Sequence, residues 1–199
     1  MTTNYRVRLI GDSSTMIGAR RSGQSLVIHR GKTMRADQIS WVNDGFLGYL
    51  QASEPVHVPL FSASLEVRVN AEQGATSPTA SQLGALQQFL ELPSSQRDAL
   101  THELVLVCHE VCAQRRIDGQ DLPIRLARRA DVWSYVGFST ITLPAHGATR
   151  DRYVFVAGGC DWDEEHGIEL LFKNGRLFKL SAQDGLATNE AWYARYIEE

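Results

Sequence analysis

A chain of 199 residues can bury a full core without disulfide staples, and 43% hydrophobic with 22% charged residues is an ordinary globular composition. A formal net charge of -3 gives no electrostatic reason to expect nucleic acid or an anionic membrane as partner. Three cysteines, Cys108, Cys112 and Cys160, make no disulfide framework, and no apolar run approaches the roughly eighteen residues of a membrane helix.

With no apolar core of signal-peptide length at the N-terminus, a soluble, reduced, cytoplasmic protein is expected. The charge is unevenly spread. Residues 1–50 carry seven Arg or Lys against three acids, and residues 151–199 carry five against ten, so the ends differ by about nine charges. Two solvated faces account for this, and so does an acidic end that meets a basic partner.

Tyr5 to Ile10 alternates like a strand, Gly11 to Ser14 reads as a turn, and Ser25 to His29 is a second short strand. Residues 30–55 are mixed, with Trp41, Phe46, Tyr49 and Leu50 as anchors. Val56, Val58 and Leu60 alternate, as do Leu65, Val67 and Val69, with a bend at Ser62-Ala63-Ser64 and an edge or break at Pro59. Ala71 to Ser77 is a small, polar connection.

Ser77 or Thr79 can cap a helix whose stripe is Leu83, Leu86, Phe89 and Leu90. Pro93 ends it. A longer helix from Gln96 to about Arg116 buries Leu100, Leu104, Val107, Cys108 and Val111, with Arg115 and Arg116 at the negative end of its dipole. Ile124 to Ala130 predicts a short helix. Val132 to Leu143, Tyr153 to Ala157, Ile168 to Phe172 and Arg176 to Leu180 predict strands, the last two joined through Asn174-Gly175, a hairpin signal because both residues tolerate positive φ. Asn189 to Ile197 predicts a terminal helix carrying Trp192, Tyr193 and Tyr196. Strands, then two helices, then strands imply an α+β fold. The expected form is an antiparallel sheet with a helical pair inserted between N-terminal and C-terminal strands. Residues 1–77 are expected to form a mainly β region whose strands pair with or flank the sheet of an α+β domain at 78–199, in one core.

Reactive side chains concentrate in Cys160, Asp161, Asp163, Glu164, Glu165, His166 and Glu169. Asp161, Asp163 and Glu165 match the first three ligand positions of a calcium loop, but His166 stands where the loop needs glycine and Phe172 where it needs an acid. Cys160, Asp163 and His166 are of the right types for part of a transition-metal shell. Paired carboxylates or His166 could serve as general acid and base. The competing reading is structural: Gly158-Gly159 and Gly167 ease a tight connection, Trp162 anchors a core or an interface, and the acids stay in water. On the long helix, His102 and His109 are seven apart and Leu106 stands where a zinc-protease motif needs its second His. Cys108 and Cys112 are four apart and could share a metal, but they lie on or beside the apolar stripe, and core packing is the better explanation. Phosphate-loop and nucleophile-elbow motifs are absent, and Arg20-Arg21 and Arg128-Arg129 are short basic pairs with little aromatic interleaving.

Residues from about Pro78 to Tyr193 resemble a family of uncharacterised bacterial domains. The matched segments are Pro78-Thr79-Ala80-Ser81-Gln82-Leu83-Gly84-Ala85-Leu86, Tyr135-Val136-Gly137-Phe138 and Cys160-Asp161-Trp162-Asp163-Glu164-Glu165-His166-Gly167. Genes of this kind often neighbour those of secreted toxins, so the resemblance implies an immunity or antitoxin role. The resulting expectation is a non-catalytic protein that needs no cofactor. It binds a basic toxin domain through Trp162, Asp161, Asp163, Glu164 and Glu165. The alternatives are a metal-dependent enzyme using Asp161, Asp163, Glu165 and His166, and a structural adaptor.

Overall fold

The computed structural model describes residues 8–9, 15–19, 25–29, 34–44, 49–72, 74–93, 95–119, 124–145 and 151–182. They fall into two units, Met1–Thr33 and Met34–Glu199. The first contains β1 (Arg8–Leu9), β2 (Thr15–Ala19) and β3 (Ser25–His29), an antiparallel meander with Thr15 opposite His29 and Arg8 opposite Ile17. The division therefore lies at 33/34. Of the expected N-terminal region 1–77, the part from Met34 onward shares a unit with the helices and later strands.

The second unit is built on a sheet of β4 (Trp41–Asp44), β5 (Tyr49–Ala52), β6 (Val56–Val58), β7 (Ala63–Asn70), β8 (Val136–Leu143), β9 (Tyr153–Cys160), β10 (Asp163–Lys173) and β11 (Arg176–Ser181). The order is β11-β10-β9-β8-β7-β5-β4, with β6 also pairing to β7. β5 and β6 follow one another along β7: Gln51 faces Arg68 and Val56 faces Leu65, so two extra residues are looped out between them. The predicted break after Val58 is present, and Ser62 turns the chain with φ 54°.

The helical pair does lie between the earlier and later strands, as α1 (Ala80–Leu90) and α2 (Gln96–Ile117). It forms the crossover from β7 to β8, which run parallel, with Val67 opposite Ile141 and Val69 opposite Leu143. The sheet is therefore mixed rather than antiparallel. A long helical connection returns the chain to the end of the sheet where it started, as no hairpin can.

α1 starts at a full capping box: Thr79 Oγ1 accepts from Gln82 N–H at 3.2 Å, and Gln82 Oε1 accepts from Thr79 N–H at 2.9 Å. Gln82 is buried and its Nε2 donates to the carbonyls of Asn70 (2.8 Å) and Pro144 (2.9 Å). One side chain thus ties the helix start to the ends of both parallel strands. Ala85, Leu86, Phe89 and Leu90 then pack on Val67, Val69, Ile141, Val154, Val156, Leu170 and Phe172 in the larger core cluster.

A second, smaller cluster joins Leu104, Val105, Cys108, Val132, Cys160, Trp162 and Ile168. Trp133, Phe138 and Leu180 border both clusters. Trp133 is fixed by a 2.8 Å hydrogen bond to Thr101 Oγ1, and the Arg97 guanidinium lies 4.0 Å from its ring centre.

The short helix expected at Ile124 to Ala130 is displaced: a 3-10 turn spans Arg129–Ser134 instead, and β8 begins only at Val136. Asp131 accepts from Arg128 N–H at 2.8 Å, and this local bond initiates the turn there. The Asn174-Gly175 hairpin is present, with φ of 51° and 73°. Tyr5 to Val7, Ile10, the predicted turn at Gly11 to Ser14, Phe46 and the predicted helix at Asn189 to Ile197 lie outside the described residues. Among those described, no helix is long and apolar enough to cross a membrane.

Candidate functional site

The acidic stretch is a two-residue connection and the irregular start of a strand rather than a loop. β9 and β10 are joined by the two residues Asp161 and Trp162, and Asp163 faces Cys160 across the connection. Between the pairs Asp163–Cys160 and Ile168–Gly158 the two strands fall out of register, and residues Glu164 to Gly167 bulge from the sheet. On the other side of β9, Ser139 is an extra residue in β8. Gly158 therefore sits between two irregularities. A Cβ at Gly158 would meet the Gly137 carbonyl and approach Phe138 Cα at 2.6 Å, while one at Gly167, where φ is +67°, would meet the Gly158 carbonyl. Bare backbone at both positions lets three strands close around the bulge.

Asp163 is the hub of the bulge. Its Oδ1 accepts from His166 N–H at 3.3 Å, lies 3.0 Å from His166 Nδ1, and is 3.4 Å from Arg115 Nη2 on α2. Cys160 Sγ donates to the Asp163 carbonyl at 3.7 Å, and Asp161 N–H donates to the Tyr135 carbonyl at 3.0 Å. Trp162 is 2% exposed and fills the smaller core cluster. It is a core residue, so the folded protein cannot offer it as an interface anchor. Asp161, Glu164, Glu165 and His166 are exposed, whereas Glu169 is carried into the buried part of β10.

The weak metal candidates Cys160, Asp163 and His166 lie close in sequence but are not assembled as ligands. The Asp163 side chain is engaged with Arg115 and His166, and the Cys160 thiol is buried and directed at a backbone carbonyl. Among the described residues, no three His, Cys, Asp or Glu side chains converge as a metal-binding group. Burial pushes the Cys160 thiol up to about 11.

The other sequence-derived cluster is split by α2. His102, Glu103, His109 and Glu110 are exposed, whereas Cys108 is buried and Cys112 half-buried. The two sulfurs are 4.0 Å apart. Burial, with the neighbouring Cys112 and Cys160, raises the Cys108 thiol to about 12. Cys108, His109, Cys112, Ala113, Arg116, Ile124 and Leu126 line a cavity of about 260 Å³.

Two features of the site and its support are not legible in the sequence. Arg115 suits the helix dipole by position, and nothing in its spacing points to Asp163, 48 positions away. Gln82 carries no sequence signal of its burial, which depends on the parallel pairing of two strand ends.

Residues 38–188 match the family model described as Domain of unknown function (DUF6985). The chain belongs to this family. The match covers β4 to β11 and both α-helices, and it excludes the β1–β3 meander, in agreement with the division at 33/34. No curated protein and no solved structure matches the chain. The segments picked out by resemblance have structural duties within the matched region. Thr79 and Gln82 cap and anchor α1, Tyr135 and Gly137 receive β9, and Cys160, Trp162, Asp163 and Gly167 build the bulge.

Proposed function

We propose that this protein is a non-catalytic binding protein whose partner is a basic protein surface, and that the partner class is a toxin domain that it neutralises. The observation that carries the reading is the bulge itself. Asp161, Glu164 and Glu165 are exposed carboxylates on a backbone fixed from beneath by buried Trp162 and from the side by the Arg115–Asp163 pair. An acidic bulge on a supported backbone orients and accelerates encounter with a basic surface, because the backbone needs little ordering on binding and complementary charge steers association. The role expected for Trp162 becomes support from below, and recognition rests on the exposed acids.

The test is co-expression with toxin domains encoded beside the gene, reading growth and complex formation. The parent is expected to protect, and Asp161→Lys with Glu164→Lys and Glu165→Lys is expected to weaken the complex at least tenfold while leaving the melting temperature nearly unchanged. Unaltered affinity in that variant, or no protection by the parent, defeats the reading. Such charge reversal on exposed positions spares the core, which Trp162→Ala would not.

A further inference from the structure

The cavity beside α2 differs in chemistry from the acidic bulge. Two sulfurs face it from successive turns, and no carboxylate lines it. Cys108 and Cys112 are both free thiols, 4.0 Å apart sulfur to sulfur. An ion bonded to both at about 2.3 Å, the usual metal–thiolate length, would see them at an angle of roughly 120°. Soft donors without oxygen ligands select soft cations. Two thiolates make only half of a structural zinc site or of an iron–sulfur cluster's ligand set. The pair suits a cation content with fewer ligands, and the cavity leaves room for a further donor from solvent or a small thiol. Arg116, also on the wall, offsets the negative charge of a bis-thiolate complex.

We propose that Cys108 and Cys112 form a chelating site for a soft, low-coordinate cation, Cu(I), at the cavity between the end of α2 and residues Ile124 and Leu126. Binding forms two copper–sulfur bonds and breaks two S–H bonds. Both protons leave to solvent, copper stays monovalent, and no oxidant or reductant takes part. Cys160, buried against the Asp163 carbonyl, stays outside the site. The site is independent of the acidic bulge and of any toxin partner.

The experiment is an anaerobic titration of the full, reduced chain with Cu(I) in competition with bicinchoninate. One equivalent is expected to transfer to the protein. Cys112→Ser, at a half-buried position that tolerates the change, is expected to bind about a hundredfold more weakly, and Cys160→Ser to bind as the parent does. Copper left on the competitor by the parent, or parent-like binding by Cys112→Ser, overturns the proposal. A second measurement needs no variant: X-ray absorption of the copper-loaded parent should show two sulfurs near 2.3 Å. A nitrogen and oxygen shell without sulfur refutes the site.

Discussion

The two core clusters are made of different materials. The larger, between α1 and the sheet, is aliphatic and aromatic, with Leu86, Phe89, Val156, Leu170 and Phe172 all essentially inaccessible. The buried polar side chain at the start of α1, Gln82, has both its amide oxygen and its amide nitrogen hydrogen-bonded. The smaller cluster, under α2, holds Cys108 and Cys160 beside Trp162 and lies beneath the acidic bulge. Both buried cysteines thus lie in the thinner core, Cys108 against the neighbouring cavity and Cys160 against the irregular strand. The regular part of the sheet serves as the scaffold.

The most severe way to break this contrast is to remove the centre of the smaller cluster. Trp162→Ala should cost about 3–5 kcal/mol, the usual penalty for deleting a buried large aromatic. Because Trp133, Phe138 and Leu180 border both clusters, urea unfolding followed by fluorescence and by circular dichroism should still give one coincident transition. Two separated transitions would show that the clusters are independent.

In the larger cluster, Gln82→Ala should cost about 1–3 kcal/mol. It leaves the Asn70 and Pro144 carbonyls without their donor and removes half of the capping box. A urea midpoint unchanged by this substitution would mean that the parallel strand ends do not depend on the helix start.

The thiols sharpen the contrast through pH. Cys108 and Cys160 titrate at about 12 and about 11 in the folded protein, against an ordinary value near 9. The folded state therefore holds these protons more tightly than the unfolded chain. Their contribution is complete below pH 9 and is lost as the pH rises through 11 and 12. The urea midpoint should fall steadily above pH 9, and Cys108→Val should flatten part of that fall. A midpoint that holds to pH 11 contradicts it.

The smallest effect belongs to the tie between helix and bulge. The Arg115–Asp163 pair is partly exposed and 3.4 Å long, so Arg115→Ala should cost less than about 1 kcal/mol. Its consequence should appear instead as faster amide exchange at Glu164 to His166. Parent-like exchange there would remove Arg115 from the support of the acidic edge.

Local patterning determined much of this protein. Alternation in Val56 to Asn70, the stripe of α1, the length of α2 and the Asn174-Gly175 turn are each legible because short-range sterics and solvent exposure act within a few residues. The acidic stretch was visible as composition, and its glycines as backbone freedom. What only the tertiary structure decided depends on residues far apart in the chain. The parallel pairing of β7 with β8 comes from where a crossover returns, and the burial of Gln82 follows from that pairing. Trp162 carries the same aromatic signal whether it faces a partner or a core, and only the packing of α2 against β9 and β10 turns it inward. Arg115 and Asp163 are brought together by that same packing, and Cys112 and Leu126 share a cavity wall because residues 124 and 126 return against α2. No periodicity along the chain encodes a distance across it.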